Sequence, residues 1–395
     1  MENRKVTDII LQNVEVLSGT LREIRKQIHL YPELSFSESK TSNLISSKLK
    51  EEGFKIVSFG VHHSFAAIFE SGHSSKTIAI RAELDALPIT EDSGNRIVSK
   101  VDGVMHACGH DIHMAAVLGA GLLLKSMKEE WSGRLILIFE SGEELLPGGA
   151  SAIVATDVFK ELNIDFMLAA HVLPELPLGK VGFCSGKYMA SGDEVYLTVH
   201  GKGGHAALPY ALIDPVVISA QIVNALQTLV SRNANQNIPT VLSFGRIEAN
   251  GATNVIPDKV DLQGTFRTMD ESWRGEAHGL ITRMAKGVAE SMGGSCDVEI
   301  RKGYPSVYNN PQLVEKVKLA CTVIFGKDNV ITLEPRMTTD DFAYFSQQVP
   351  SVLFRVGVGE DGKSTQLHRS NFDPDEKAID IAMKGLGIML LDLLK

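Results

Sequence analysis

Three segments constrain this chain more than any others. "KTIAIRAELDALP" (76–88), "RLILIFESGEE" (134–144) and "FMLAAHVLP" (166–174) are near-continuous apolar runs, each with charged or histidine residues toward its C-terminal end. A strand that is apolar on both sides has both faces covered, as strands of parallel sheets do. Helical patterns lie between them, "DIHMAAVLGAGLLLKSMKEE" and "GASAIVATDVFKEL". The alternation predicts an α/β fold, a mostly parallel sheet with helices on both faces. Ligands of such sheets bind at the carboxyl ends of the strands, where Asp85, Glu143, Glu144 and His171 stand.

The flanks follow the same logic. Residues 8–30 have helical periodicity, and "SESKTSNLISSKLKEEG" predicts a helix with Ser37 or Ser39 near its start and Gly53 as its stop. From about residue 190 the texture changes. "DEVYLTVHGK" alternates like a half-exposed strand, a helix follows with Asp214 as N-cap and Pro215 in its first turn, and "PTVLSFGRIEA", "KVDLQGTFRTM", a long helix and "CDVEIRKGYP" complete β-α-β-β-α-β. That order predicts an inserted ferredoxin-like α+β domain at 188–302, splitting the first domain into 1–187 and 303–395.

Composition bounds the function. At 395 residues, two domains are expected rather than one core. A net charge of −9 with 44% hydrophobic residues describes a soluble globular protein without the basic surface that nucleic acid requires. The N-terminus does not read as a secretory signal, and the longest apolar run, "MAAVLGAGLLL", is too short to span a membrane, so neither nucleic acid nor membrane is an expected partner. Cys108, Cys184, Cys296 and Cys321 have no framework spacing, which fits reduced thiols in the cytoplasm.

"VMHACGHDIHMAAVLGAG" (104–121) concentrates the chemistry. Asp111 is a natural N-cap for the helix it opens, but a cap explains neither Cys108 nor His110, which stand two apart on a turn and can face one cation. Read alone, the stretch is equally a partly buried cysteine among solvated histidines, or a cysteine nucleophile with His110 or His106 as partner. Glu143 and Glu144 end an apolar strand, where a turn lets one bind a metal while the other serves as base. His171 follows "FMLAA" without a turn residue and His368 lies in a polar loop. Cys108, His110, Glu144, His171 and His368 make five mixed N, S and O donors, more than one tetrahedral ion takes, which suggests two divalent ions sharing a bridging ligand. The set suits Zn, Mn, Co or Ni and argues against Mg or Ca.

"IHLYPELSFSE", "RAELDALPI", "VMHACGHDIHMA", "SGEELLPGGA", "AAHVLP", "GKGGHAALP", "TNVIPD", "GTFR" and "TDDFAYFSQQVP" occur in the order of the aminoacylase, hippurate hydrolase and auxin-conjugate amidohydrolase family, which the chain resembles from about residue 20 to its end. These are dinuclear metallo-amidohydrolases related to metal-dependent carboxypeptidases. The resemblance implies a zinc-peptidase-like catalytic domain and a lid domain that forms a homodimer contact. It implies Cys108, His110, Glu144, His171 and His368 as ligands of two metal ions, Glu143 as catalytic base, His205 as oxyanion donor in its own or the partner's site, and Asn254 and Arg267 as substrate-binding residues. The substrate it implies is a small N-acyl amino acid or short peptide, hydrolysed at the amide. Without it, His205 and Asn254 read as turn residues and Arg267 as a surface charge. The chain departs from the family's commoner pattern at Glu83, where aspartate is usual, at "SGEE" in place of "PAEE", and at "RSNFDPDE" after His368. None removes a ligand or the base; all bear on substrate preference. A metallo-dipeptidase or carboxypeptidase, a cysteine amidase and a non-catalytic metal- or peptide-binding relative are the rival readings.

Overall fold

The three charge-tipped runs lie side by side in one eight-stranded sheet of the computed structural model, which describes residues 2–360 and 366–395. The strands are β1 (Lys55–Ser58), β2 (Phe65–Ser71), β3 (Thr77–Glu83), β4 (Gly133–Glu140), β5 (Phe166–Pro177), β6 (Val181–Phe183), β7 (Val330–Thr332) and β8 (Ser351–Gly359), in the spatial order β1-β2-β4-β3-β5-β8-β6-β7. β3 pairs in parallel with β4 and β5, and β5 with β8. The antiparallel hairpin β1–β2 extends one side, and β6 runs antiparallel to β8 on the other. β3 is buried at every position, as covering of both faces requires.

The helix His110–Ser126 is apolar around its circumference and buried along most of its length. It packs against the helices Glu2–Leu30 and Lys377–Leu394, which also pack on each other. Gly119 permits that approach: a Cβ there would sit 2.5 Å from Leu21 Cδ1 and 2.7 Å from Met383 Sδ. The start of this helix differs from expectation. Its N-cap position is Gly109, without a side-chain cap, and Asp111 instead turns to Arg25 and His29, whose positive groups reward a buried carboxylate more than an amide does. The segment expected as one helix after Pro147 is two, Gly149–Ala155 and Asp157–Glu161, because Thr156 is extended and accepts the Phe159 N–H as a new N-cap.

Arg81 on β3 is 1% exposed. Its Nε donates to Glu140 at the end of β4 at 2.7 Å, Nη2 to Asp341 at 2.6 Å, and Nη1 to Glu83. Asp341 also accepts the Ala150 N–H at 3.1 Å. Arg81 and His113 overcome the cost of burial and hold Glu83 ionised, whereas burial and the neighbouring Glu140 push Asp341 well above the usual carboxylate range.

The chain divides into two compact units, one of Met1–Gly186, Tyr308–Glu334 and Asp341–Lys395, the other of Lys187–Val307 and Pro335–Asp340. Within the second, the antiparallel strands Thr240–Glu248, Lys259–Thr268, Asp193–His200 and Ser295–Lys302 lie in that spatial order, with the helices Pro215–Thr228 and Glu271–Ser291 sharing their core. This is the strand order of a ferredoxin-like sandwich. Burial alternates strictly along Asp193–His200, and Asp214 accepts the Val216 N–H as the N-cap ahead of Pro215. The unit reaches past residue 302 because Asp193 accepts the Gly303 N–H and Arg336 donates to the Tyr188 carbonyl. Among the described residues no helix is long and apolar enough to cross a membrane.

Replacing Arg81 by Met leaves its carboxylates buried without their cation and is expected to cost about 3–5 kcal/mol, read from denaturant unfolding. His29 generates a pH dependence. Burial disfavours its charged form, but hydrogen bonds to Asp111 at 2.9 Å and Glu91 at 3.0 Å prevail and raise its pKa from 6.5 to about 9. A raised folded-state pKa contributes stability that is complete below the unfolded value of 6.5 and is lost as pH rises through about 9. Between those limits the native chain should lose stability more steeply with pH than His29→Gln, by up to about 1.4 kcal/mol per pH unit; equal slopes would count against the assignment.

Candidate metal centre

Cys108 precedes Gly109, whose φ of +82° suits only glycine and whose added Cβ would sit 2.7 Å from Val172 Cγ2. That left-handed residue lets the thiol of Cys108 and the ring of His110 turn to one side. Nδ1 of His110 donates to the Asp85 carbonyl at 2.8 Å, leaving Nε2 buried without a hydrogen-bond partner. His171 is arranged the same way: Nδ1 donates to the Val172 carbonyl at 2.8 Å, and Nε2 stands 3.5 Å from Cys108 Sγ. His171 is not at the end of its strand, as "FMLAA" suggested. β5 continues to Pro177, but its pairing with β3 stops at Ala169, which opens the space that His171 enters.

Gly142, with φ of +78°, ends β4 in a turn that brings both following glutamates inward. Glu143 Oε2 and Glu144 Oε1 lie 3.9 and 4.0 Å from His110 Nε2. Glu144 is fixed by its N–H, donated to Asp85 at 2.9 Å, and its Oε1 is 3.1 Å from His368 Nε2 without a hydrogen bond's geometry. His368 is 52% exposed and adopts a φ of +61°. Among the sets of donors that result, two share Cys108: Cys108 with His110 and His171, and Cys108 with Glu144 and His368, the donor atoms within 4.8 Å of one another in each. Sharing Cys108, they have the composition and the orphaned buried atoms that two divalent ions would satisfy. Burial and the Glu144 carboxylate push the Cys108 thiol well above its ordinary pKa, and burial with Arg355 holds His171 neutral. Burial thus disfavours the thiolate that a cysteine nucleophile needs, although His110 acts the other way, and a cation would supply the charge that a thiolate needs here.

One contributor, His113, escaped the sequence reading, and another, Asp85, was placed at a strand end without a role. His113, one turn beyond His110 on the same helix, donates from Nδ1 to Glu83 at 3.0 Å and accepts the Val172 N–H on Nε2 at 3.0 Å. It thereby fixes the backbone beside His171. Asp85 holds His110 and Glu144 together and accepts the Ser35 hydroxyl at 2.7 Å. The i, i+3 spacing of His110 and His113 was the available signal for the first. The remaining expected residues lie in the second unit. His205 is exposed on a two-residue strand paired with Val255, the Asn254 carbonyl accepts the Ala206 N–H, and Arg267 is half-buried with Nη1 donating to the Met337 carbonyl at 2.7 Å.

Residues 79–391 match the model of Peptidase family M20/M25/M40. Thermostable carboxypeptidase 1 of Saccharolobus solfataricus is 34% identical over 380 residues, covering 93% of this chain and 95% of that protein. N-acetyl-L-cysteine deacetylase of Bacillus subtilis is 35% identical over 367 residues, covering 93% and 86%. The solved YXEP protein of Bacillus subtilis, described as a dinuclear metal binding peptidase, superposes with a TM-score of 0.81 at 29% identity over 96% of this chain and 99% of that one.

His113→Phe removes the acceptor of a buried N–H and the partner of Glu83. The expected loss is about 1–3 kcal/mol of stability by thermal or denaturant unfolding, with retention of added Zn or Mn weakened by about tenfold or more in equilibrium dialysis.

Proposed function

Because the chain belongs to Peptidase family M20/M25/M40, we propose that it is a metal-dependent amidohydrolase that cleaves N-acyl amino acids to a carboxylate and a free amino acid. The observation that carries this reading is the pair of donor sets sharing Cys108, with Glu143 on their rim. In this reading Cys108, His110, Glu144, His171 and His368 hold two divalent ions, Zn, Mn, Co or Ni. When bound, such a pair lowers the pKa of water and polarises an amide carbonyl. Glu143 takes the proton of the attacking water and returns it to the leaving amine, and its burial at the rim keeps that proton from bulk solvent. His205 stabilises the oxyanion, Arg267 holds the substrate carboxylate and Asn254 the amide, with 188–302 acting as a lid on a catalytic domain formed by 1–187 and 303–395. A homodimer formed through the lid belongs to the same reading, supported by the exposed apolar Val216, Val217, Ile247 and Val255 of the second unit. So does a cytoplasmic location, which four buried cysteines outside any disulfide support.

The carboxypeptidase relative favours a second reading, cleavage of a true peptide bond with the same residues. A panel of N-acetyl and N-benzoyl amino acids beside dipeptides separates the two. Activity should vanish on chelation and return with about two ions per chain; indifference to chelation would sink both. Glu143→Gln should keep its ions and lose at least about a hundredfold in kcat, since general acid–base groups contribute on that order.

A further inference from the structure

The two donor sets are anchored very differently. Cys108, His110 and His171 are buried and stand on a helix start and a central strand. The other set depends on His368, an exposed residue in left-handed conformation on a loop. A histidine keeps that conformation only where its surroundings over-determine it. Here the restraints are a backbone bond of His368 itself, bonds to Ser370, and one cation that grips the loop at Asp373.

Arg96, 44% exposed, donates from Nε to Asp373 Oδ2 at 2.8 Å, from Nη2 to the Asp373 carbonyl at 2.6 Å and to Glu360 at 2.8 Å. Beside it, the Asp92 N–H and the Asn95 amide both donate to the Ser370 carbonyl, at 2.9 and 3.1 Å. On the inner side of the same loop, the His368 N–H donates to the Ala107 carbonyl at 2.9 Å and Phe372 is buried. The segment 92–96 is thus a strap across the His368 loop, and Arg96 is its cationic part.

We propose that Arg96 is a positioning residue for one ion of the pair: by clamping the His368 loop it sets the affinity of the outer ion, held by Cys108, Glu144 and His368, and leaves that of the inner ion, held by Cys108, His110 and His171, unchanged. This rests on the dinuclear reading above. The two ions are therefore held unequally, the inner one firmly and the outer one exchangeably. When only a fraction of molecules has the loop in place, apparent affinity falls by that fraction. The clamp consists of exposed ion pairs, so salt weakens it, while the buried set is screened little.

The test is metal occupancy of the full chain in a graded series of free Zn, counted by elemental analysis and repeated with Co, whose thiolate absorption reports ions bound to Cys108. The native protein should load two ions in two steps, and His368→Ala should keep only the tighter one. Arg96→Gln should weaken the second step by about three- to tenfold and leave the first within about twofold, with Arg96→Lys in between. Raising ionic strength should weaken the second step in the native protein and have less effect in Arg96→Gln. Two ions bound in a single step, or both steps shifting alike or not at all in Arg96→Gln, would overturn the proposal while leaving the dinuclear reading intact. A native protein that binds no ion would end both.

Discussion

Arg81 is the point on which the rest of the molecule turns. A guanidinium buried beneath the carboxyl ends of β3 and β4 is tolerable only because three carboxyl groups surround it, and they come from β3, β4 and the segment before Phe342–Ser346. The charges are not simply summed. Glu83 is ionised and Asp341 is pushed toward its neutral form, so the cluster keeps its charge low in a place where Coulomb interactions are poorly screened. From Glu83 the order propagates outward through His113 to the Val172 N–H, beside His171. A charge balanced in the core thus helps to fix the backbone from which the His171 ring projects.

Precision at the centre follows from where each donor is anchored. Side chains on strands and helices are held more closely than those on loops. The imidazoles of His110 and His171 each spend one nitrogen on a backbone carbonyl, which settles which nitrogen remains for the centre. Glu144 is placed by its backbone as much as by its side chain, through Asp85. Glu143 shares that turn, so both glutamates are carried by one short segment whose direction is set at Gly142.

Much of this was legible. Apolar runs tipped with charge announce strands whose ends face a site, and β3, β4 and β5 do lie adjacent. The strand and helix order of the inserted segment needed only periodicity. The side chains that brace the donors from behind were not legible. Glu83 and His113 are far apart in sequence, and the sequence offers no sign that Asp111 would serve Arg25 and His29 rather than its own helix. Local preference for a cap loses to a buried ion pair that exists only once the chain has folded. The break at Thr156 and the length of β5 were missed for the same reason: both depend on pairing partners, not on local pattern.

The helix that carries His110 lies between Glu2–Leu30 and Lys377–Leu394, and this arrangement imposes an order of events during synthesis. Its apolar circumference has no complete cover until residues 377–394 have left the ribosome. At elongation rates of about 5–20 residues per second the interval between the appearance of Cys108 and that of the helix Lys377–Leu394 is roughly 15–60 s. For that time the thiol that is inaccessible in the finished fold is open to oxidants and to any soft cation in the cell. Exposure of that thiol to oxidants is thus greatest before folding ends.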